Sequence, residues 1–175
     1  MSNLPNILSA FRLFLVPFFP ILYFSGLPDG ATFAGIIFIA AGISDVLDGF
    51  IARKFDYVSA TGRMLDPLAD KLMQLSALTT LTIDQKIPYW FFVLFTVKEL
   101  AMIGGGFRLY KKNSDVIPSN GFGKLTAVLF YLVVLVVLFF EIPPLATDIM
   151  LVLLLFIAVF STGVYYTGYK STIKK

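Results

Sequence analysis

Six long apolar segments, separated by short polar breaks, constrain the fold of this chain more than any other feature of the sequence. Each segment is close to the roughly 20 residues that an α-helix needs to cross a bilayer. Their predicted ranges are 11–24, 31–54, 62–84, 89–110, 124–141 and 146–169. Hydrocarbon offers no water to backbone N–H and C=O groups, so spans of this kind are helical. The sequence therefore predicts an all-α integral membrane protein with six transmembrane helices.

The amino-acid composition agrees with a membrane protein and excludes several kinds of chemistry. Of the 175 residues, 58% are hydrophobic and 14% are charged, whereas roughly 25% of residues are charged in a typical soluble domain. The chain contains no cysteine and no histidine, which excludes disulfides, thiolate metal sites, cysteine nucleophiles and the commonest general base. Any reaction must use carboxylates, Lys, Arg, Tyr or the backbone. We find no internal repeat and no second domain, and expect one membrane-embedded domain over residues 1–175.

The distribution of basic residues predicts the orientation of the chain. Residues 6–11 are mildly amphipathic and lie beside Arg12, which indicates a short interfacial helix before the first span. With both termini on one side, thirteen of the 14 Lys and Arg residues fall on or toward that side, and only Lys86 falls on the other. Positive residues favour the cytoplasmic side, so we expect an N-in, C-in topology. A basic cytoplasmic face also attracts anionic headgroups and anionic soluble substrates, and no nucleic-acid partner is expected.

Residues 44–71 contain five of the eleven acidic residues of the chain. Asp45 and Asp48 are three residues apart, and Asp66 and Asp70 are four apart, so each pair projects from one face of its own helix. A carboxylate at membrane depth costs roughly 2.5–3.5 kcal/mol, and a cluster of four needs compensation. Oxygen ligands without nitrogen or sulfur suit a hard divalent cation such as Mg²⁺ or Mn²⁺. Alternatively, these are interfacial residues that cap helix ends and pair with nearby Arg and Lys.

Small residues accompany these acids on the second apolar segment. Gly49 follows Asp45 by four residues, and Ala52 follows Asp48 by four, which leaves a patch of backbone uncovered on the acidic face. This patch has room for a flat ligand group, and Arg53 is placed to bind a phosphate beside it. The alternative interpretation is close packing between two membrane helices, which small residues at this spacing also favour.

Eight positions of this region match the motif of a known family. They run in the order Asp-x-x-Asp-Gly-x-x-Ala-Arg, eight residues, Gly-x-x-x-Asp-x-x-x-Asp. The positions are occupied by Asp45, Asp48, Gly49, Ala52, Arg53, Gly62, Asp66 and Asp70. Eight fixed positions are highly specific, and the chain resembles the CDP-alcohol phosphatidyltransferases over essentially its whole length. The resemblance implies a homodimeric enzyme of the bacterial cytoplasmic membrane, with its active site facing the cytoplasm.

The resemblance implies that four carboxylates share the metal and the chemistry. One or two divalent ions, Mg²⁺ or Mn²⁺, would be held by Asp45, Asp48 and Asp66, with Asp70 near or joining them. The metal would bind the diphosphate of CDP-diacylglycerol. Asp70 would be the general base that takes a proton from the acceptor alcohol. The alcohol oxygen would then attack the phosphorus on the lipid side, and CMP would leave.

The other motif positions are assigned to the nucleotide by the same resemblance. Gly49 and Ala52 would let the cytidine lie close to the second helix, beside Asp48, and Arg53 would support the phosphates. Gly62 completes the motif and is expected to belong to the same CDP-lipid site.

Basic residues outside the motif bear on which alcohol is the acceptor. Arg108 and Lys124, together with Arg63, fall on the predicted cytoplasmic side and would form a pocket for an acceptor phosphate. The alternative is simple positive-inside anchoring. Four segments, 2–19, 66–74, 98–113 and 121–127, are also similar to bacterial members of the family that use glycerol 3-phosphate. We therefore expect glycerol 3-phosphate as the acceptor.

Other functions remain open at the level of the sequence. A cardiolipin synthase of the same family, which takes phosphatidylglycerol, is the nearest alternative, and inositol phosphate or serine fits less well. A divalent-cation transporter belongs to a different class, because buried acids also line cation paths. Against it, the acids cluster at one membrane face, and the first, fifth and sixth segments have no charged residue in their middle to continue a path.

Overall fold

The computed structural model describes the backbone of residues 4–55, 62–113 and 121–173, and the side chains of 7, 9–45, 68–104 and 123–164. These residues form seven α-helices and no strand. In chain order they are α1 (Leu4–Leu15), α2 (Phe18–Tyr23), α3 (Gly30–Phe55), α4 (Gly62–Ile83), α5 (Tyr89–Asn113), α6 (Gly121–Phe139) and α7 (Pro144–Ile173). The prediction of an all-α chain is confirmed over the described ranges.

The helix boundaries in the first predicted segment differ from expectation, because the helix is interrupted at Pro17. We expected an interfacial helix over 6–11 and a span over 11–24, but α1 runs unbroken from Leu4 to Leu15, and α2 begins at Phe18. The predicted boundary near residue 11 is therefore wrong. Proline lacks a backbone N–H and disfavours helical geometry in the residue before it. The helix accordingly ends just before Pro17, and not where the amphipathic stretch gives way to the apolar one.

A second proline in this region leaves one backbone carbonyl without its usual helical hydrogen bond, and a side chain of another helix donates to it instead. Residue 20 is also proline, so the Val16 carbonyl has no N–H four residues ahead to bond to. The Ser76 hydroxyl on α4 donates to this Val16 oxygen at 3.1 Å. The hydrogen bond fixes the end of α1 to α4.

The later helices begin and end close to their predicted bounds, because glycine and proline occur in the sequence at the same places. A Cβ at Gly30, the first residue of α3, would lie 2.7 Å from the backbone oxygen of Leu22, so this close approach requires glycine. Pro144 is the first residue of α7, where a missing N–H is least costly.

Residues 1–86 form one compact unit that contains α1 to α4. Within it, α1 and α2 both pack against α3 and α4. Phe19 and Phe38 are fully buried between the helices, with ring centroids 5.7 Å apart. Buried alanines on α3 and α4, Ala34, Ala41, Ala69 and Ala77, let these helices approach closely, as small residues do in membrane bundles.

A polar cluster joins α2 to the C-terminal end of α4. The Tyr23 hydroxyl donates to Asp84 Oδ2 at 2.6 Å, and Lys86 Nζ lies 3.9 Å from the same oxygen. Lys86 also lies over the Tyr23 ring, 5.6 Å from its centroid. Asp84 is fourteen residues after Asp70, which corresponds to about 20 Å along a helix, so this cluster is far from the acidic motif.

Residues 87–175 form the second compact unit, in which α7 packs against α5 and α6. Phe95 stacks on Phe91 and on Phe130, with ring centroids 5.5 and 5.0 Å apart. Next to these rings, Lys98 Nζ lies 2.6 Å from Oε1 of the buried Glu99. Pairing compensates both charges, so α5 carries them within otherwise apolar surroundings.

Among the described residues, one helical stretch, 144–164 of α7, has the length and apolar composition of a membrane span. Only 28% of the window tested there is buried within the protein. Shorter apolar stretches occur at Ser9–Tyr23, Gly30–Asp45 and Gly123–Phe139. The prediction of six spans, and that of a single domain, stay predictions.

Candidate active site

The acidic motif lies on two consecutive helices of the first unit. The end of α3 carries Asp45 and Asp48, and the beginning of α4 carries Asp66 and Asp70. Residues 56–61 connect these two helix ends, so the motif positions come from adjoining ends of the helices. The side chains of eight predicted site residues lie outside the described part of the structure. Two of them are acids of the motif, Asp48 and Asp66, and the other six are Gly49, Ala52, Arg53, Gly62, Arg63 and Arg108.

Asp45 forms an ion pair with an arginine that the sequence did not single out for the site. Arg12 Nη1 lies 2.9 Å from Asp45 Oδ1. The Arg12 side chain is 0% exposed, whereas Asp45 is 37% exposed. Arginine stays charged in proteins and is seldom fully buried unless it is paired. The positive-inside pattern assigns Arg12 to the membrane surface, but packing of α1 against α3 and α4 buries it.

Asp70 is held by a neighbour on its own helix. Its side chain is 15% exposed, and its Oδ2 accepts a hydrogen bond from Gln74 Nε2 at 3.0 Å. Lys71 Nζ lies 3.6 Å from the same oxygen and donates to Gln74 Oε1 at 3.3 Å. Gln74 is only 1% exposed, and its amide bonds to both Asp70 and Lys71. The spacing of four residues between Asp70 and Gln74 is the sequence signal for this contact.

The other oxygen of Asp70 provides a test of whether a cation fits this site. Asp70 Oδ1 is buried and accepts no hydrogen bond from any residue that the structure describes. A buried acceptor without a partner costs about 1–3 kcal/mol, so this oxygen favours a cation or a donor hydroxyl. Groups of three or more metal-binding side chains are not found among the described residues, since those of Asp48 and Asp66 are not included. The available donors, carboxylate oxygens alone, fit a hard divalent cation.

Of the three predicted acceptor residues, the structure describes the side chain of Lys124 alone. Lys124 lies in the first turn of α6 and is exposed. It belongs to the second unit, whereas the acidic motif belongs to the first. The structure therefore brings the helices of the four acids together, and Lys124, Arg63 and Arg108 stay predictions as an acceptor pocket.

The part of the chain that the structure describes is mainly helical, with the motif on the adjoining ends of α3 and α4. The family model for CDP-alcohol phosphatidyltransferase matches residues 2–163. The chain belongs to this family, and the resemblance seen in the sequence is confirmed.

The chain is also similar to individual members of this family. The chain is 38% identical over 101 residues to the CDP-diacylglycerol–glycerol-3-phosphate 3-phosphatidyltransferase of Wigglesworthia glossinidia brevipalpis, which covers 58% of this chain and 53% of the relative. It is 33% identical over 138 residues to the Bacillus subtilis protein of the same name, covering 71% and 70%. It is also 39% identical over 108 residues to a cardiolipin synthase (CMP-forming) of Streptomyces coelicolor, covering 58% and 50%. The chain thus spans about half the length of two of these three relatives.

Proposed function

We propose that this chain transfers a phosphatidyl group from CDP-diacylglycerol to glycerol 3-phosphate and releases CMP. The observation that carries the proposal is the eight-position motif on the adjoining ends of α3 and α4, in a chain that belongs to the CDP-alcohol phosphatidyltransferases. Glycerol 3-phosphate as acceptor is supported by the names of relatives from Wigglesworthia and Bacillus subtilis.

The carboxylates of the motif are proposed to hold Mg²⁺ or Mn²⁺. Asp45, Asp48 and Asp66 would be the ligands, with Asp70 near or joining them, and a donor set of carboxylate oxygens alone supports a hard divalent cation. When bound, the metal neutralises the charge that develops on the phosphate oxygens during transfer. Arg53 would bind the phosphates from the protein side, and Gly49, Ala52 and Gly62 would leave room for the nucleotide.

Asp70 is proposed as the general base. Gln74 holds its Oδ2, which leaves Oδ1 to accept the proton of the acceptor hydroxyl. As that O–H bond breaks, the oxygen forms a bond to the phosphorus on the lipid side, and the bond from this phosphorus to the CMP oxygen breaks. Because the carboxylate is held by Gln74 before the reaction, its orientation does not have to be found during the step.

Lys124, Arg108 and Arg63 are proposed to bind the phosphate of the acceptor. The exposure of Lys124 at the first turn of α6 supports this role, since cations and the N-terminal end of a helix both favour a phosphate. A neutral acceptor alcohol would have no need of this group.

The bilayer is proposed as the environment of the protein, with six spans, an interfacial N-terminal segment and both termini inside. The apolar stretch of α7 and the shorter ones of α1 to α3 and α6 support this arrangement, as do the many large apolar side chains that are exposed on the described helices. The bacterial origin of the relatives supports the cytoplasmic membrane. A homodimer stays a prediction from the family resemblance.

A second acceptor is favoured by one specific observation. The relative from Streptomyces coelicolor is a cardiolipin synthase (CMP-forming), which makes phosphatidylglycerol a candidate acceptor for this chain. The two acceptors share the chemistry of the transfer and differ in whether the attacking alcohol is soluble or belongs to a lipid.

The test is CMP release by the purified protein in detergent with CDP-diacylglycerol and Mg²⁺ or Mn²⁺. Four acceptors are compared: glycerol 3-phosphate, phosphatidylglycerol, inositol phosphate and serine. Release with glycerol 3-phosphate alone supports the proposal, and release with phosphatidylglycerol alone moves the chain to cardiolipin synthesis. No release with any acceptor contradicts the transferase proposal and returns the divalent-cation transporter to consideration.

A further inference from the structure

The ion pair between Arg12 and Asp45 is unequally buried. The arginine side chain is 0% exposed, the aspartate 37% exposed, and the two atoms Nη1 and Oδ1 are 2.9 Å apart. Arg12 therefore reaches Asp45 from the interior of the unit, while part of Asp45 stays accessible from outside. A surface salt bridge, in contrast, is weak and geometrically loose.

The helix that carries Arg12 is anchored to α4. Val16 N–H donates to the Arg12 carbonyl at 3.2 Å, one turn before α1 ends. The carbonyl of Val16 in turn accepts the Ser76 hydroxyl of α4 at 3.1 Å. Ser76 is six residues after Asp70 on that helix. Thus α1 is bonded through Arg12 to the helix of Asp45, and Val16, directly after α1, is bonded to the helix of Asp70.

We propose that Arg12 is a positioning residue that orients the Asp45 carboxylate for a divalent cation and holds the two halves of the acidic motif in register. This inference rests on the proposed function, since it concerns the same cation site. Arg12 itself does not touch the cation. Its effect passes through Asp45, as the hydrogen-bond partners of metal-binding carboxylates do in other sites.

A positioning role and a purely electrostatic role predict opposite changes in cation affinity. Arg12 places a positive charge beside the acids, so its removal should strengthen binding of a divalent cation if charge alone mattered. If Arg12 acts by orienting Asp45, its removal should weaken binding. A side chain that only stabilises the fold would lower the melting temperature and leave the affinity of the folded protein unchanged.

The experiment measures Mn²⁺ binding to the full chain in detergent by electron paramagnetic resonance, with circular dichroism and thermal unfolding to verify folding. Arg12→Met removes the charge and the donors, and Arg12→Lys keeps the charge but loses the planar fork. Lys86→Met is the matched control, because it breaks an ion pair of the same unit far from the motif. We expect roughly 10- to 100-fold weaker Mn²⁺ binding in Arg12→Met, partial rescue in Arg12→Lys and no change in Lys86→Met.

Each outcome decides the proposal. Mn²⁺ binding as tight as in the unmodified protein, or tighter, in folded Arg12→Met overturns it, while CMP release by the unmodified protein leaves the proposed function intact. If Arg12→Met does not fold, the proposal is tested with Arg12→Lys alone. Weaker Mn²⁺ binding in that variant supports the proposal, and unchanged binding contradicts it. Absence of Mn²⁺ binding by the unmodified protein contradicts the proposed cation site and this inference together.

Discussion

Replacement of Gln74 by leucine is expected to lower turnover strongly while the protein stays folded. Gln74 is 1% exposed, and its Nε2 donates to Asp70 Oδ2 at 3.0 Å. Leucine has a similar volume and no polar atoms, so the substitution removes the donor without opening a large cavity. The proposed general base then loses the contact that fixes its orientation.

The size of the effect follows from the strength of this one bond. A hydrogen bond to a charged group contributes about 1.5–3 kcal/mol, which corresponds to roughly a 10- to 150-fold change in rate if the bond acts fully in the transition state. Lys71 Nζ, at 3.6 Å from Asp70 Oδ2, is expected to compensate in part. We therefore expect kcat to fall about 10- to 50-fold, with a smaller change in KM for CDP-diacylglycerol.

The assay is CMP release under saturating substrates, with Thr80→Val as the matched control. Thr80 is also on α4 and 1% exposed, but its hydroxyl donates only to the Ser76 carbonyl of the same helix, at 2.8 Å. Thr80→Val should keep kcat within about twofold. Unchanged kcat in a folded Gln74→Leu variant would refute the role of Gln74 in orienting Asp70.

The remaining predictions concern the base, the acceptor and the break at Pro17. Asp70→Asn should abolish CMP release in a protein that still folds, because shape is kept and the charge is lost; full activity would exclude Asp70 as the base. Lys124→Ala or Arg108→Ala should raise KM for glycerol 3-phosphate more than KM for CDP-diacylglycerol in steady-state assays, and equal changes would exclude an acceptor pocket. Ser76→Ala leaves the Val16 carbonyl without its donor, and should lower the free energy of unfolding by about 1 kcal/mol in denaturation experiments; unchanged stability would contradict this.

The helices were predictable because the apolar segments are long and are bounded by glycine or proline. Gly30 and Pro144 begin α3 and α7 close to the predicted positions. The break at Pro17 was missed, because the prediction followed the change from amphipathic to apolar sequence near residue 11. The local effect of proline on the backbone determined the helix end instead.

Spacing and motif predict the four acids of the candidate site, but they do not single out the residues that contact Asp45 and Asp70. Arg12 looks like one more cation of the basic face, and only the packing of α1 against α3 and α4 buries it beside Asp45. Gln74 has no charge and no place in the eight-position motif, so the spacing of four residues is all that the sequence offers for the contact with Asp70 that the structure shows. Residues that act through another side chain leave little trace in a single sequence.

Transfer of labelled glycerol 3-phosphate into lipid is the most direct test of the account. The purified protein is given radiolabelled glycerol 3-phosphate with CDP-diacylglycerol and Mg²⁺, and label is counted in the organic phase after extraction. We predict label in lipid that requires CDP-diacylglycerol, is stopped by a chelator, returns when Mg²⁺ is restored and is absent with Asp70→Asn. Label that stays in the aqueous phase under all these conditions would contradict the proposed reaction.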